Sequence, residues 1–412
     1  MKLVVLLCGK NIFRSDLAKL KEDKEYCYWL VVSELCFPRI QEKNLKSFSH
    51  VEVMEDFSLT SISCFLNTKN VRDNFSDIAV ITNDESSEAM ALELYRAFSK
   101  TAPHYDEKNI AAFSDKVAAK ECLSKHGIRV PKYQVFDKAK FREQGGLYCL
   151  GVARHLEFPM IAKPVDGMGS IDVQKIHSIE ELQDWAVWSS GIRDRNTYEI
   201  DEFIEGELYT CDALVENGRI IWSSVCSNIS PIIDVSAGKA HGLVCMPKED
   251  KLSQALDEFH ASVINAMQPP SGAVHTECFV TSSKEIVFLE SHIRPPGGEA
   301  AHLYLNSYGF NIEEAHIKLR SAQSSHDVST SLHAYSAWID LPRKQGTVIM
   351  DESVCPSSCY KFEMTVKLGE WIEQTAKDLQ QQAAVTFMLT HSDFEELTKD
   401  INYIRTLQLV SP

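Results

Sequence analysis

No stretch of the 412-residue chain approaches the roughly 20 apolar residues of a membrane-spanning helix. The opening run, Leu3 to Cys8, stops after six apolar residues at Gly9-Lys10. That is shorter than a secretion-signal core and suits a buried first strand. A basic excess is also missing. The formal net charge is −16, which argues against nucleic acid or an anionic membrane as the main partner, since both demand a basic face. The 12 cysteines do not form a zinc pattern. They are scattered from Cys8 to Cys359, and the closest pair, Cys355 and Cys359, has no second pair at ligand spacing. Reduced, mostly buried thiols in a cytoplasmic protein are expected. Internal repeats and low-complexity tracts are absent, which sets aside solenoids and disordered arrays.

What is present is ordinary globular material: 44% hydrophobic and 24% charged residues. The length implies two or three domains. Apolar runs of strand length occur at Leu3–Leu7, Tyr28–Val32 and Ile78–Thr82, and Ser86 to Phe98 has helical spacing. This alternation predicts an α/β unit with a parallel sheet. Ligands collect at the carboxyl ends of such strands, so Asn83, Asp84 and Glu85 become candidate substrate residues; a polar loop with a helix cap is the plain alternative. Thr101 to Asn109 reads as a linker. Ser114 then caps a helix to about His126, closed by Gly127 and blocked by Pro131. A strand at Lys132–Phe136 follows, and Ser178-Ile179-Glu180-Glu181 is a capping-box pattern. From Tyr198 onward the chain is strand-rich. Val274–Phe279 and Ile286–Ile293 read as a hairpin, with a turn at Thr281–Lys284. A last α/β stretch from about Ala334 has a strand at Val385–Leu389 and a helix at Ser392–Ile401.

Four segments carry chemistry. In the first, the strand ending at Lys163 runs into Pro164-Val165-Asp166-Gly167-Met168-Gly169-Ser170. Glycines let backbone N–H groups approach phosphate oxygens, and Lys163 adds a point charge. A simple hairpin turn is the alternative. Lys116 opens a helix, where a bound phosphate would offset its conflict with the helix dipole; alone, it would be a surface lysine. Acidic residues frame Tyr198 to Glu207, which could equally be a charged edge strand. In the hairpin, Glu277 lies on one strand, and Glu290, His292 and Arg294 follow at spacing two on the other. Two carboxylates facing across a hairpin repel unless a cation lies between them, and oxygen-only ligation suits magnesium completed by phosphates. Arg294 would then be poised on an oxyanion, ahead of the rigid turn Pro295-Pro296-Gly297-Gly298. An ion pair between Glu290 and Arg294 is the bland reading.

Taken in order, these pieces resemble the ATP-grasp superfamily from about Asp77 to Leu319. The shared pattern is a lysine at a helix start, Lys-Pro before a glycine-rich loop, Glu202-Phe203-Ile204-Glu205-Gly206, and Glu277 followed by Glu290 and Arg294. Within it the chain is most similar to carboxylate–amine ligases, including bacterial L-amino-acid ligases that make dipeptides.

The resemblance implies an α/β and α+β architecture. It comprises an N-terminal Rossmann-like parallel-sheet domain (1–105), a small central domain with the glycine-rich loop (106–200) and a C-terminal antiparallel-sheet domain (201–412), with ATP between the last two. It implies that Lys116 and Lys163 hold phosphates beneath a loop of Gly167, Met168, Gly169 and Ser170. Glu202, Phe203 and Ile204 would bind adenine, mostly by backbone. Glu277 and Glu290 would hold two magnesium ions, with manganese able to substitute. Arg294 would stabilise the acyl phosphate, with His241 near the reacting carboxylate; a loop histidine is the alternative for the latter. Asn83, Asp84, Glu85, His292, Gly297 and Gly298 would face substrate. Two positions depart from the pattern: Leu208 stands where many members carry a ribose-binding glutamate, leaving Glu207 as a substitute, and His292 stands where many carry asparagine. The expected partners are a small carboxylate and an amine, with a homodimer left open. The alternatives are a bicarbonate-using carboxylase and a nucleotide-binding regulator without turnover.

Overall fold

The computed structural model describes residues 1–167, 171–191, 197–231, 234, 238–323, 328–375 and 383–411. Its first sheet is parallel, built from β1 (Lys2–Cys8), β2 (Tyr26–Ser33), β3 (His50–Met54) and β4 (Ile78–Thr82) in the order β3-β2-β1-β4. Leu3 to Leu7 are fully buried, and successive residues enter different cores: Leu3, Val5 and Leu7 on one face, Val4 and Leu6 on the other. A strand covered on both faces reads as a continuous apolar run. The helix Glu88–Phe98 packs against this sheet through Ala91, Leu94, Tyr95 and Phe98.

Two antiparallel sheets follow. The smaller is built from β5 (Tyr133–Val135), β6 (Met160–Pro164), β7 (Gln174–Ile176) and β8 (Tyr198–Glu202), in the order β5-β8-β6-β7. The rest of the strands are β9 (Gly206–Glu216), β10 (Arg219–Asn228), β11 (His241–Cys245), β12 (Gly272–Thr281), β13 (Ile286–His292), β14 (Tyr335–Pro342), β15 (Gly346–Val348), β16 (Cys359–Met364), β17 (Trp371–Ile372), β18 (Ala383–His391) and β19 (Val410–Ser411). Eight of them form one sheet, β13-β12-β9-β10-β11-β14-β18-β16, and β17-β15-β19 form a small third one. No helix among the described residues is long and apolar enough to cross a membrane. All 12 cysteines are free thiols, seven of them buried; Cys122, within an apolar string, is only partly so.

Several local expectations shift. The supposed linker Thr101–Asn109 turns helical at Glu107, because Asp106 and Asn109 form a reciprocal capping box. That helix runs through Ser114, so Ser114 cannot cap the next one. Asp115 does, accepting the N–H groups of Val117 (2.8 Å) and Ala118 (2.9 Å). At Ser178 the box is half made: its hydroxyl accepts from Glu181 N, but the Glu181 carboxylate takes the His177 N–H. The final helix is Phe394–Thr406, capped by Asp393. Strand β13 ends at His292, leaving Arg294 beyond it. The Thr281–Lys284 turn is as expected, with Lys284 N donating to Thr281 O at 2.9 Å.

Candidate active site

A cleft of about 960 Å³ lies between the two antiparallel sheets. The smaller sheet contributes Ile161, Lys163 and Asp201, followed by Glu202, Phe203 and Ile204; the larger contributes Leu208, Glu277, Phe279 and Glu290. A second cavity of about 370 Å³ is lined by Glu85, Asp166, Ser291 and His292, and it shares Lys116, Gly167 and Glu290 with the first. The first sheet thus reaches this second cavity through Glu85, just beyond the carboxyl end of β4.

Lys116 joins three elements. It is the first residue of the helix Lys116–Lys125, where a positive charge opposes the helix dipole and the capping Asp115 offsets it. Its Nζ donates to Gly167 O (2.5 Å) and lies 3.6 Å from Glu290 Oε2. Met168, Gly169 and Ser170 lie outside the described residues, as does Ser236 of the segment leading to His241.

The hairpin has the register Glu277↔Glu290 and His275↔His292, and a bulge after Glu277 pairs Cys278 with Phe288. The bulge skips Leu289, so consecutive residues Leu289 and Glu290 both line the cleft. Burial would raise the Glu290 carboxyl, but Lys116, His292 and Lys163 override it and hold it well below the usual carboxylate range. Among the described residues no three His, Cys, Asp or Glu side chains converge as a complete metal cage. The two facing carboxylates fit magnesium of the kind that phosphates complete, which takes only one or two protein carboxylates.

Arg294 pairs with Glu85, rather than with Glu290 as the bland reading had it. Its Nε donates to Glu85 Oε1 at 2.6 Å and its Nη2 lies 2.5 Å from the same oxygen. His292 bridges the two carboxylates, with Nδ1 3.5 Å from Glu85 and Nε2 3.4 Å from Glu290. Burial would raise the Glu85 carboxyl; Arg294 and then His292 reverse this and hold it at about 2. Its neighbours have other work. Asn83 donates to Ile12 O, and the fully buried Asp84 accepts from Lys10 N, Ser86 N and the hydroxyls of Ser86 and Ser87. The cap alternative therefore describes Asp84, while Glu85 reaches the cavity.

His241 packs edge-on to Trp338, with ring centroids 5.1 Å apart, and burial lowers its imidazole to about 4. Gly298 lies against the same indole: a Cβ there would come 2.5 Å from it, at φ +64°. Gly297 and Gly298 precede the helix Ala300–Tyr308. The Glu202 side chain is engaged by Arg129 Nη2 (2.6 Å) and Lys132 N (2.9 Å), consistent with a backbone role for its segment. Glu207 is exposed and accepts from Tyr209 OH at 2.8 Å, whereas the buried Leu208 lines the cleft.

Two groups were not singled out from sequence. Behind Glu277, His275 Nε2 lies 3.5 Å from that carboxylate, and His275 Nδ1 lies 2.8 Å from Asp212, which also accepts from Tyr304 OH at 2.5 Å. Behind Lys163 lie Lys120, Glu199 and Asp201. The signals were spacing: His275 is two before Glu277, Lys120 is one helical turn after Lys116, and Glu199 shares a strand face with Asp201.

The fold and the cleft define a class: the chain has the ATP-grasp fold, and residues 156–302 match the ATP-grasp domain family. Among characterised relatives it is 24% identical over 239 residues to the L-arginine-specific L-amino acid ligase of Bacillus subtilis, which covers 57% of this chain and 56% of that protein. The chain thus matches little more than half of that relative's length. The crystal structure of an L-amino acid ligase from Bacillus licheniformis superposes with a TM-score of 0.72 at 14% identity, covering 98% of this chain and 96% of that one. A carboxyaminoimidazole ribonucleotide synthase from Aspergillus clavatus, complexed with ATP, gives 0.68 at 14% identity, covering 98% and 97%. The expected resemblance and fold class are borne out; at these identities the structural likenesses speak for fold alone.

Proposed function

We propose that the protein is an ATP-dependent ligase that joins a carboxylate, an L-amino acid, to an amine, a second amino acid, through an acyl phosphate. The observation that carries this reading is the meeting of two cavities at Lys116, Gly167 and Glu290. The larger has the residues a nucleoside triphosphate needs: apolar Phe203, Ile204 and Leu208 for a purine, and Lys116, Lys163, Glu277 and Glu290 for phosphates and their metal. The smaller is lined by Glu85, whose carboxylate is paired with Arg294 behind the lining, a charged pair suited to a zwitterionic amino acid.

In this reading a carboxylate oxygen attacks the γ-phosphorus, the bond to the bridging oxygen breaks, and ADP leaves. The amine nitrogen then attacks the acyl carbon, the bond to phosphate breaks, and the amine gives up a proton. Lys116 and Lys163 hold the phosphates, with Gly167 beside them. Glu277 and Glu290 hold magnesium, which when bound neutralises phosphate charge. Arg294 meets the developing oxyanion with a planar fork that a lysine lacks. For that, the substrate must draw Arg294 from Glu85, as a carboxylate of the same chemistry can. His241, neutral at ordinary pH, packs with Trp338 and Gly298 and lines neither cavity; its place beside the reacting carboxylate belongs to this reading alone. The test is phosphate release screened over pairs of amino acids, with mass spectrometry of the product. Release that needs bicarbonate and no amine would identify a carboxylase instead, and nucleotide binding without release would identify a regulator.

A further inference from the structure

Four charged side chains are stacked at the back of the nucleotide cleft, on β6, β8 and the helix that begins at Lys116. Lys163 and Asp201 line the cleft. Lys120 and Glu199 stand behind them, both 0% exposed. Lys120 Nζ lies 2.6 and 2.7 Å from the two oxygens of Asp201 and 2.9 Å from Glu199 Oε2. Lys163 Nζ lies 2.9 Å from Asp201 and 3.6 Å from Glu199. The Lys120 ammonium also sits 4.9 Å from the Tyr133 ring centroid.

The balance is two cations against two anions, with no water-exposed member to absorb an excess. A buried charge that loses its partner is costly, and the survivors rearrange to cover it. Without Lys120, two carboxylates would compete for the one ammonium of Lys163. That ammonium, already 2.9 Å from Asp201, would have to neutralise both carboxylates of β8, leaving less of its charge for any phosphate in the cleft.

We propose that Lys120 is a positioning residue for nucleotide binding: by taking up Glu199 and sharing Asp201 with Lys163, it spares the Lys163 ammonium on the cleft wall from having to neutralise both carboxylates. This rests on the reading of the cleft as a nucleoside triphosphate site. It accounts for a second buried lysine that lines neither cavity. Lys116 and Lys120 would then divide the work of one helix face, the first touching phosphate and the second setting the electrostatics behind it.

The test is calorimetric titration of the full chain with a non-hydrolysable ATP analogue and magnesium. Lys120→Met should weaken binding by on the order of 10-fold or more, the effect of one charge-assisted contact. Lys120→Met with Glu199→Gln restores the balance and should return binding to within about 3-fold of wild type. A single variant that binds like wild type, or a double variant no better than the single, overturns the proposal. The second result would mean that Lys120 matters only for packing. If Lys120→Met does not fold, the double variant decides: recovered binding supports the charge account, and a loss of about 10-fold or more refutes it. Wild-type protein that fails to bind the analogue would instead overturn the nucleotide reading itself, so the two failures are distinct.

Discussion

Replacing Arg294 with methionine separates catalysis from stability, because the structure assigns this arginine a partner. Arg294 holds Glu85 through two contacts at 2.5–2.6 Å, and the Glu85 carboxyl falls from its ordinary value near 4.5 to about 2. Arg294 first, then His292 and a backbone N–H, hold the carboxyl this low, which corresponds to a stabilisation on the order of 3 kcal/mol shared among them. Removing one partner of a buried pair typically costs about 3–5 kcal/mol. Arg294→Met should therefore destabilise the protein by about 3 kcal/mol at neutral pH. Adding Glu85→Gln removes the stranded charge and should recover most of that loss. Product formation should behave differently. Losing an oxyanion donor costs on the order of 10²–10³ in rate, and neutralising Glu85 does not replace it. ATP affinity should change far less. The assays are denaturant midpoints, analogue binding, and product yield at saturating substrates for wild type, both single variants and the double. If the double variant regains both stability and product, Arg294 serves only to satisfy Glu85, and its catalytic role is wrong.

Other outcomes follow from the same geometry. Glu290→Gln removes one carboxylate charge at constant volume, and ADP formation should fall by on the order of 10² or more, with the fold retained; near-normal turnover at ordinary magnesium would remove Glu290 from the metal site. Because the folded-state carboxyl of Glu85 is depressed, its stabilisation is present above the unfolded value near 4.5 and lost as pH falls toward about 2. Acid unfolding curves of wild type should carry this slope and those of Glu85→Gln should lack it; identical curves would count against the pair. Gly298→Ala places a Cβ 2.5 Å from the Trp338 indole at φ +64°. It should cost about 1–3 kcal/mol and raise KM for the carboxylate by displacing the indole beside His241; an unchanged KM would take Gly298 and Trp338 out of the substrate wall.

The parallel sheet was legible because both its faces are buried, so β1 and β4 read as unbroken apolar runs. β3 was not, since its His50 and Glu52 break that run. The hairpin was legible from the spacing of Glu277 and Glu290, but the bulge that brings Leu289 into the cleft leaves no trace in period-two alternation. A linker was inferred at Thr101–Asn109 because polar residues dominate it; the Asp106–Asn109 capping box reverses that locally. The partner of Arg294 lies 209 residues away, across the contact between the parallel sheet and the eight-stranded sheet, and local spacing cannot supply such a pairing. The same holds for Lys120 and Asp201, 81 residues apart.

The central claim is that ATP activates a carboxylate for attack by an amine. The most direct measurement uses an amino acid labelled with heavy oxygen in its carboxyl group, incubated with ATP, magnesium and a panel of amine acceptors. The released phosphate and the condensed product are then weighed by mass spectrometry. The account predicts that one heavy oxygen moves from the carboxyl group to the phosphate, one phosphate for each amide formed, and that Arg294→Met suppresses both. Phosphate released without label, or ADP formed with no amide across the panel, would contradict it.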